Sequence, residues 1–254
     1  MRINRYDLGK VFIVFILLII QNLSTIMQKR DYMEFSFLET YYMKLFGGGF
    51  SRTQETVFVI LSGFLFIVIF QFLFSNFIYK DLHISSIYRF SRNKNRRVWF
   101  AEKCLSLAFY DFLYTIFYVA GIYILSVKVS GETASNEEIV FILSTYIVIF
   151  MYIYLTTLFI NILSISCGSN FSFAITFVLQ IILAQLAINH ERIPVIGKSE
   201  LILQLNPVAN MIVSWKVSSL VNSILYFTIY IAVCIFLSFT YISRIDLGLS
   251  NKEI

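Results

Sequence analysis

Long continuous runs of apolar residues constrain this chain more than any other feature of its sequence. An α-helix rises about 1.5 Å per residue, so about 20 apolar residues cross the roughly 30 Å hydrocarbon core of a bilayer. Continuously apolar runs indicate helices, whereas a membrane barrel would need many segments of about ten residues with alternating character. The sequence therefore predicts an all-α, polytopic membrane protein with six transmembrane helices, at about residues 11–27, 56–79, 104–127, 139–165, 171–189 and 220–242.

Composition points to the same class of protein. The 254 residues are 58% hydrophobic and only 14% charged, which is too little polar surface to cover a water-soluble globule of this size. The first apolar run follows three basic residues and imitates a secretory signal, but no small-residue cleavage motif comes after it. We therefore expect an uncleaved first span and a single transmembrane domain over residues 1–254.

The most basic connection is the stretch from Lys80 to Lys103, which joins the second and third predicted spans. It contains seven lysine or arginine residues and two carboxylates. Positive residues concentrate on the cytoplasmic side of membrane proteins, so we expect this loop and both chain termini in the cytoplasm. The segments 28–55 and 190–219 then lie outside, and the first of them is long enough for a short interfacial helix. This orientation puts twelve basic residues inside and eight outside.

Other classes of function find little support in the sequence. The net charge of +5 comes from residues beside the apolar runs, which argues against nucleic-acid binding. Cys104, Cys167 and Cys234 lack the spacing of a metal site, and we expect free thiols. His83 and His190 are predicted on opposite sides of the membrane, and no serine stands in a recognisable arrangement with a histidine. We expect no catalytic residue, no metal and no cofactor on this chain.

A few polar residues interrupt the predicted spans. Asp111 lies in the third span, where a carboxylate costs at least roughly 2.5 kcal/mol and should face the helix bundle, a watery cavity or a partner. It is either a proton or substrate-cation site, or a structural carboxylate that is hydrogen-bonded or paired with a partner subunit. The remaining candidates can bond between helices or line a substrate path; they are Thr156, Thr157, Asn161, Gln180 and Gln185.

The order of these features resembles a known family. Six spans, a long outer segment after the first span, the basic loop 80–103 and the outer sequence Leu205-Asn206-Pro207 are similar to the membrane subunits of type-2 ABC exporters. That family includes exporters of drugs, polysaccharides and bacteriocins, as well as immunity pumps. Many of its members have a longer amphipathic helix before the first span, where this chain has about ten residues.

The resemblance implies that the basic loop holds a short coupling helix that docks on a soluble ATPase. Its expected apolar contacts are Leu82, Ile84, Ile87, Tyr88 and Phe90, and its expected charged contacts are Arg89, Arg92, Arg96 and Arg97. A short amphipathic helix joined to two spans could convert movement of a soluble partner into tilting of those spans. A basic loop attracted to anionic lipid is the alternative for any single arginine, but it explains the apolar positions less well.

Taken together, the sequence and the resemblance predict a permease subunit of an ATP-driven exporter in the bacterial cytoplasmic membrane. ATP and Mg²⁺ would bind a separate subunit, and a second copy or a related permease would complete the pathway. The expected cargo is amphipathic or lipophilic, with a peptide such as a bacteriocin as the first choice. The alternatives are a proton-coupled secondary transporter that uses Asp111 and a non-transporting membrane protein for immunity or binding.

Overall fold

The described part of the chain is predominantly helical. The computed structural model describes residues 9, 10, 12, 16, 36–46, 63–82, 96–190, 200–215 and 217–244. No β-strand occurs among these residues, and the predicted all-α class is confirmed for them. The helices are α1 (Phe37–Phe46), α2 (Leu65–Phe74), α3 (77–82), α4 (Arg96–Ser130), α5 (Asn136–Cys167), α6 (Ser169–Ile188), α7 (Glu200–Gln204), α8 (Pro207–Met211) and α9 (Leu220–Arg244).

Five stretches of this helical structure are long and apolar enough to cross a membrane, and they identify a membrane-embedded protein. They are Leu65–Leu82, Arg96–Ser130, Asn136–Cys167, Ser169–Ile188 and Leu220–Ile242. The first predicted span, residues 11–27, lies almost entirely outside the described residues. The stretch Leu65–Leu82 consists of α2, Ser75, Asn76 and α3. It covers the end of the second predicted span and the first three residues of the predicted basic loop, and we call it the broken span.

Consecutive spanning helices run in opposite directions. The broken span ends at Leu82 and α4 begins at Arg96, and we call the end of the bundle that carries these two residues the basic end. α5 begins at the other end with a capping box, in which the N–H of Glu138 donates to the Ser135 hydroxyl and the N–H of Ser135 donates to the Glu138 carboxylate. Gly168, at φ 81°, turns the chain from α5 into α6 at the basic end.

The core between α2 and α4 consists of pairs of aromatic rings arranged as a ladder along the two helices. A pair of aromatic rings gains about 0.5–1.5 kcal/mol beyond the burial of its apolar surface. The Tyr114 hydroxyl also donates to the Phe66 carbonyl, 2.5 Å away. Three ring pairs with centroid separations of 3.9, 4.8 and 5.5 Å form the ladder, respectively Phe66 with Tyr118, Phe70 with Tyr114 and Phe74 with Tyr110. The ladder fixes the two spans side by side.

The short helix predicted between the first and second spans is present as α1, but it is packed into the bundle and does not lie on a surface. Tyr41 and Leu45 are fully buried, and the Tyr118 hydroxyl of α4 donates to the Leu45 carbonyl at 3.3 Å. Burial raises the pKa of Tyr41 far above its ordinary value, and the neighbouring Tyr42 raises it further. The sequence predicted a short helix in this segment but not its packing against α4.

The segment before α9 also enters the bundle. Asn206 caps α8 by accepting from the N–H groups of Val208 and Ala209, and its amide donates to the Leu183 carbonyl of α6 at 2.7 Å. The Tyr230 hydroxyl of α9 donates to the carbonyl of Leu205 at 2.8 Å. α8 is therefore held between two spanning helices, and its own side chains are largely buried.

Candidate functional site

An ion pair joins the two ends of the basic loop. The Lys103 ammonium of α4 lies 2.9 Å from the Asp81 carboxylate of α3, and it also lies 5.1 Å from the ring centre of Phe77. The indole N–H of Trp99 donates to the same carboxylate oxygen at 3.1 Å. Because the Lys103 ammonium and the Trp99 indole both belong to α4, they connect the last turn of the broken span to the start of α4. We call Asp81, Trp99 and Lys103 the loop clamp.

The structure places three of the nine predicted coupling-loop residues. Leu82 is buried in the core of the bundle, Arg96 is half-buried at the first position of α4, and Arg97 is exposed beside it. Helix α4 begins at Arg96, eight residues before the predicted start of the third span, and so includes the last eight residues of the predicted loop, with Arg96 and Arg97 among them. The remaining six lie outside the described residues: Ile84, Ile87, Tyr88, Arg89, Phe90 and Arg92.

The broken span is interrupted at Ser75 and Asn76, and side chains bond the backbone there. In an unbroken helix the N–H of residue 78 would donate to the carbonyl of residue 74. Here the Ile78 N–H donates to Asn161 Oδ1 at 2.8 Å, and Asn161 Nδ2 donates to the Phe74 carbonyl at 2.8 Å. The fully buried amide of Asn161, from α5, is therefore inserted into the hydrogen-bond ladder of another span.

The two preceding carbonyls at this interruption also accept from side chains. The Ser75 hydroxyl donates to the Phe72 carbonyl at 3.0 Å, and the Lys10 ammonium donates to the Leu73 carbonyl at 3.3 Å. Three successive carbonyls thus meet one hydroxyl, one ammonium and one amide. This arrangement satisfies backbone groups that cannot be left unpaired in lipid. We call the carbonyls of residues 72–74 with these three side chains the break site.

A second polar contact lies one turn nearer the middle of the bundle. The Gln71 amide donates to the Thr156 hydroxyl at 2.8 Å, and both side chains are buried. Thr156 and Gln180 each lie twelve residues from Gly168 on antiparallel helices, so they reach the same height in the bundle. The Gln71 Oε1 atom, the Thr157 hydroxyl and both polar atoms of Gln180 are buried and lack a hydrogen bond to any described residue.

Asp111 is fully buried within the bundle. Its Oδ1 atom accepts from the Thr115 hydroxyl at 3.1 Å, while Oδ2 has no hydrogen-bond partner among the described residues. Asp111 lies eight residues beyond Lys103, or about 12 Å further along the helix axis. The carboxyl is thus well inside the bundle and not at the level of the loop clamp.

Gln185, the last of the predicted intramembrane candidates, occupies a different environment. Its side chain is exposed and bonds locally, accepting from the Asn189 amide at 2.8 Å. The sequence-based selection missed Lys10, Gln71 and Ser75. Gln71 carried a usable signal, because it is a lone amide in an apolar run, but nothing local indicated that Lys10 would reach a residue 63 positions away.

Few other chemical groups come together within the described part of the chain. Cys104, Cys167 and Cys234 are free thiols, and no cluster of three potential metal ligands occurs among residues whose placement is defined. His190 is buried at the end of α6. The chemistry of the described bundle is therefore that of buried amides, hydroxyls, one carboxyl and two ammonium groups held over aromatic rings.

Comparison with known proteins identifies a family. No curated protein and no solved structure matches the chain significantly. One family model, described as a protein of unknown function, DUF2705, matches residues 14–248. That match includes the basic loop, the broken span, Asp111 and Asn161, and it extends over nearly the whole sequence. The chain therefore belongs to the DUF2705 family.

Proposed function

We propose that this protein is the membrane-spanning subunit of an ATP-driven exporter, and that its basic loop binds a separate ATPase. The observation that carries the proposal is the loop clamp, which holds the two ends of this loop together. A loop that merely attracts anionic lipid needs no rigid base. A loop that transmits force does, because a displaced tip moves its helices only where the two ends are held together.

The helices on either side of the loop suit unequal roles in such a mechanism. α4 is continuous for 35 residues from Arg96 to the far end of the bundle, about 52 Å at the usual helical rise. The broken span is interrupted six residues above Asp81. We propose that α4 acts as a lever and that the interruption at Ser75 and Asn76 acts as the hinge, so that ATP-driven closure tilts the two segments of the broken span differently.

The proposed topology has six spans, with both termini and the basic end in the cytoplasm of a bacterial cell. The excess of lysine and arginine in the loop and at the termini supports this orientation. Two such subunits, identical or related, would pair over two ATPase subunits, since six spans make half of a pathway. ATP and Mg²⁺ would bind only the ATPase. The apolar, aromatic-rich helices favour an amphipathic or lipophilic cargo, with a membrane-active peptide as the first candidate.

Asp111 supports a second candidate function. A carboxyl with one oxygen unbonded among the described residues, inside a membrane-embedded bundle, has the features of a proton-binding group. A transporter driven by protons through Asp111 would need no ATPase. The two candidates therefore make opposite predictions about the requirement for ATP.

Co-purification tests the exporter proposal. The tagged chain is isolated from its native host in several mild detergents, and the recovered proteins are analysed for an ATP-binding subunit. We expect such a subunit with the wild-type chain and its loss when Arg89, Arg92, Arg96 and Arg97 are all changed to Glu. Lys128→Glu, at the far end of α4, is the matched control and should retain the partner. Absence of an ATPase in every detergent would contradict the proposal and leave Asp111 as the residue to pursue.

A further inference from the structure

A groove lies between the basic ends of α5 and α9 and encloses about 370 Å³. Binding sites for small molecules commonly occupy about 300–1,000 Å³. Leu237 and Tyr241 are 57% and 42% exposed, so the groove opens to the surroundings of the bundle. Six residues from the last turns of the two helices line it: Ile162, Leu163 and Ser166 of α5, and Leu237, Thr240 and Tyr241 of α9. We call it the α5–α9 groove.

The lining of the α5–α9 groove changes from apolar to polar toward the basic end. On both helices the polar lining residues follow the apolar ones by three or four residues, which is one helical turn or about 5 Å along the axis. Aliphatic side chains therefore form the half nearer the middle of the bundle, and hydroxyl-bearing side chains form the half nearer its end. A ligand that fits both halves has an apolar chain and a polar head.

The surroundings of the groove contain molecules of this kind. α5 and α9 both belong to the five spans, and α9 is the least buried of the five. α5 is 32 residues long, or about 48 Å at the usual rise, which exceeds the hydrocarbon core of roughly 30 Å. Its last turns therefore reach the head-group region of the bilayer. A phospholipid beside the groove has its acyl chains and head group separated in the same direction as the two halves.

The polar half offers both an acceptor and a donor. The Ser166 hydroxyl donates to the Leu163 carbonyl at 3.0 Å, so its oxygen remains as an acceptor. The end of α5 adds partial negative charge, because the last carbonyls of a helix lack intrahelical partners. The Tyr241 hydroxyl bonds to no other described residue and can donate. Neither helix has an aspartate or glutamate among its last ten residues. An ammonium suits the acceptors, and a phosphate suits the Tyr241 donor.

We propose that the α5–α9 groove binds one phospholipid with an ethanolamine head group. One acyl chain packs against Ile162, Leu163 and Leu237. The phosphate accepts from the Tyr241 hydroxyl, and the ammonium donates to Ser166 and the end of α5. The bound lipid fills the gap between the two spans at the basic end. Binding does not rest on the exporter function, and the orientation proposed above decides only that the cytoplasmic leaflet supplies the lipid.

Lipid titration tests the proposal on the purified full-length chain without any ATPase. The chain is exchanged into lipid-free detergent and titrated with dioleoylphosphatidylethanolamine, and bound lipids are counted by native mass spectrometry. We expect one saturable lipid on the wild type. Leu237→Trp should abolish it, because the indole occupies the apolar half of the groove. Leu225→Trp is the matched control and should retain the lipid, since Leu225 is 54% exposed and lies twelve residues, or about 18 Å, nearer the other end of α9.

Two comparisons test the contacts of the head group. Tyr241→Phe keeps the ring and removes the donor, and it should weaken binding about tenfold through loss of one hydrogen bond to a charged phosphate. Phosphatidylcholine, whose ammonium cannot donate, and phosphatidylglycerol, which has no ammonium, should each bind the wild type about tenfold more weakly than phosphatidylethanolamine. Thermal unfolding checks that each variant is folded. If Leu237→Trp is not recovered in folded form, Tyr241→Phe and the lipid comparison decide.

Equal affinity for the three lipids, equal occupancy of Leu237→Trp and Leu225→Trp, or the absence of a saturable lipid would overturn the proposal. These outcomes are independent of the exporter function. If the chain co-purifies with an ATPase but shows no selective lipid binding, the lipid site alone is refuted. If selective binding occurs and no ATPase is found, the lipid site stands and the exporter proposal fails.

Discussion

Replacing Asn161 with leucine should destabilise the bundle by about 1 kcal/mol. The amide makes three hydrogen bonds, with the Ile78 N–H at 2.8 Å, the Phe74 carbonyl at 2.8 Å and the Thr157 carbonyl at 2.9 Å. Side-chain hydrogen bonds between membrane helices are worth about 0.6 kcal/mol on average. Two of the three bonds join α5 to the broken span and together give about 1 kcal/mol, whereas the bond to Thr157 lies within α5. Leucine branches at Cγ as asparagine does and is the larger residue, so Asn161→Leu removes the bonds without leaving a cavity.

The assay is reversible unfolding of the purified chain in mixed micelles with increasing SDS, followed by tryptophan fluorescence. Gln185→Leu is the matched control, because Gln185 is an exposed amide on the neighbouring helix and bonds only to Asn189 among the described contacts. We expect the control to lie within about 0.5 kcal/mol of the wild type. The reasoning is wrong if the free energy of unfolding of Asn161→Leu also lies within that range of the wild type. The hydrogen bonds of the Asn161 amide would then contribute nothing to the stability of the bundle.

Three further predictions concern packing, capping and the buried carboxyl. Gly63→Ala should destabilise the chain because an added Cβ would collide with the Phe46 backbone, whereas Gly121→Ala, with open space at its Cβ, should be neutral or stabilising by up to about 1 kcal/mol; thermal unfolding compares them. Ser135→Ala should cost about 1 kcal/mol in the same assay through loss of the capping box, and an unchanged stability would contradict that role. Asp111→Asn should leave folding and ATPase binding intact under the exporter proposal, and a selective loss of transport would favour the proton-coupled alternative.

The membrane character and helical class of this protein could be predicted because they depend on properties that are local in sequence. The length of an apolar run and the need to satisfy every backbone group in lipid leave few alternatives to a helix. Helix ends were less predictable. Hydropathy marks where a chain meets lipid, whereas α4 continues to Arg96 because charged residues such as arginine are good helix formers.

The break in the second span could not be predicted, because its cause lies elsewhere in the sequence. Ser75 and Asn76 are mild helix breakers, and the amide that bonds the backbone beside them comes from a residue more than 80 positions away. Sequence reasoning selected Asn161 as a polar residue in an apolar run, with packing between helices or a substrate path as its roles. Which backbone groups it would meet depends on how α5 packs against the broken span, and no local pattern specifies that register.

The buried polar residues illustrate the same limit. Gln180 and Gln185 look alike in the sequence, as single amides in one apolar run. They lie five residues apart and therefore on different faces of α6, one buried and the other exposed. The elements packed against α6, chiefly α5 and α8, decide which face is inside. Asp111 was expected to face the bundle, a watery cavity or a partner because of the cost of a carboxylate in lipid, and in the structure it is fully buried in the bundle.

Site-specific photo-crosslinking from the basic loop tests the central claim most directly. A photoreactive phenylalanine analogue is placed at Tyr88 in the native host, and at Phe112, a partly exposed position within α4, as a control. The proposed function predicts that the Tyr88 variant forms an adduct with an ATP-binding subunit, that the Phe112 variant does not, and that reversing the loop arginines to Glu abolishes the adduct. Adducts from Tyr88 with lipid alone would contradict it, because the loop would then be a membrane-surface element and not the point at which an ATPase acts.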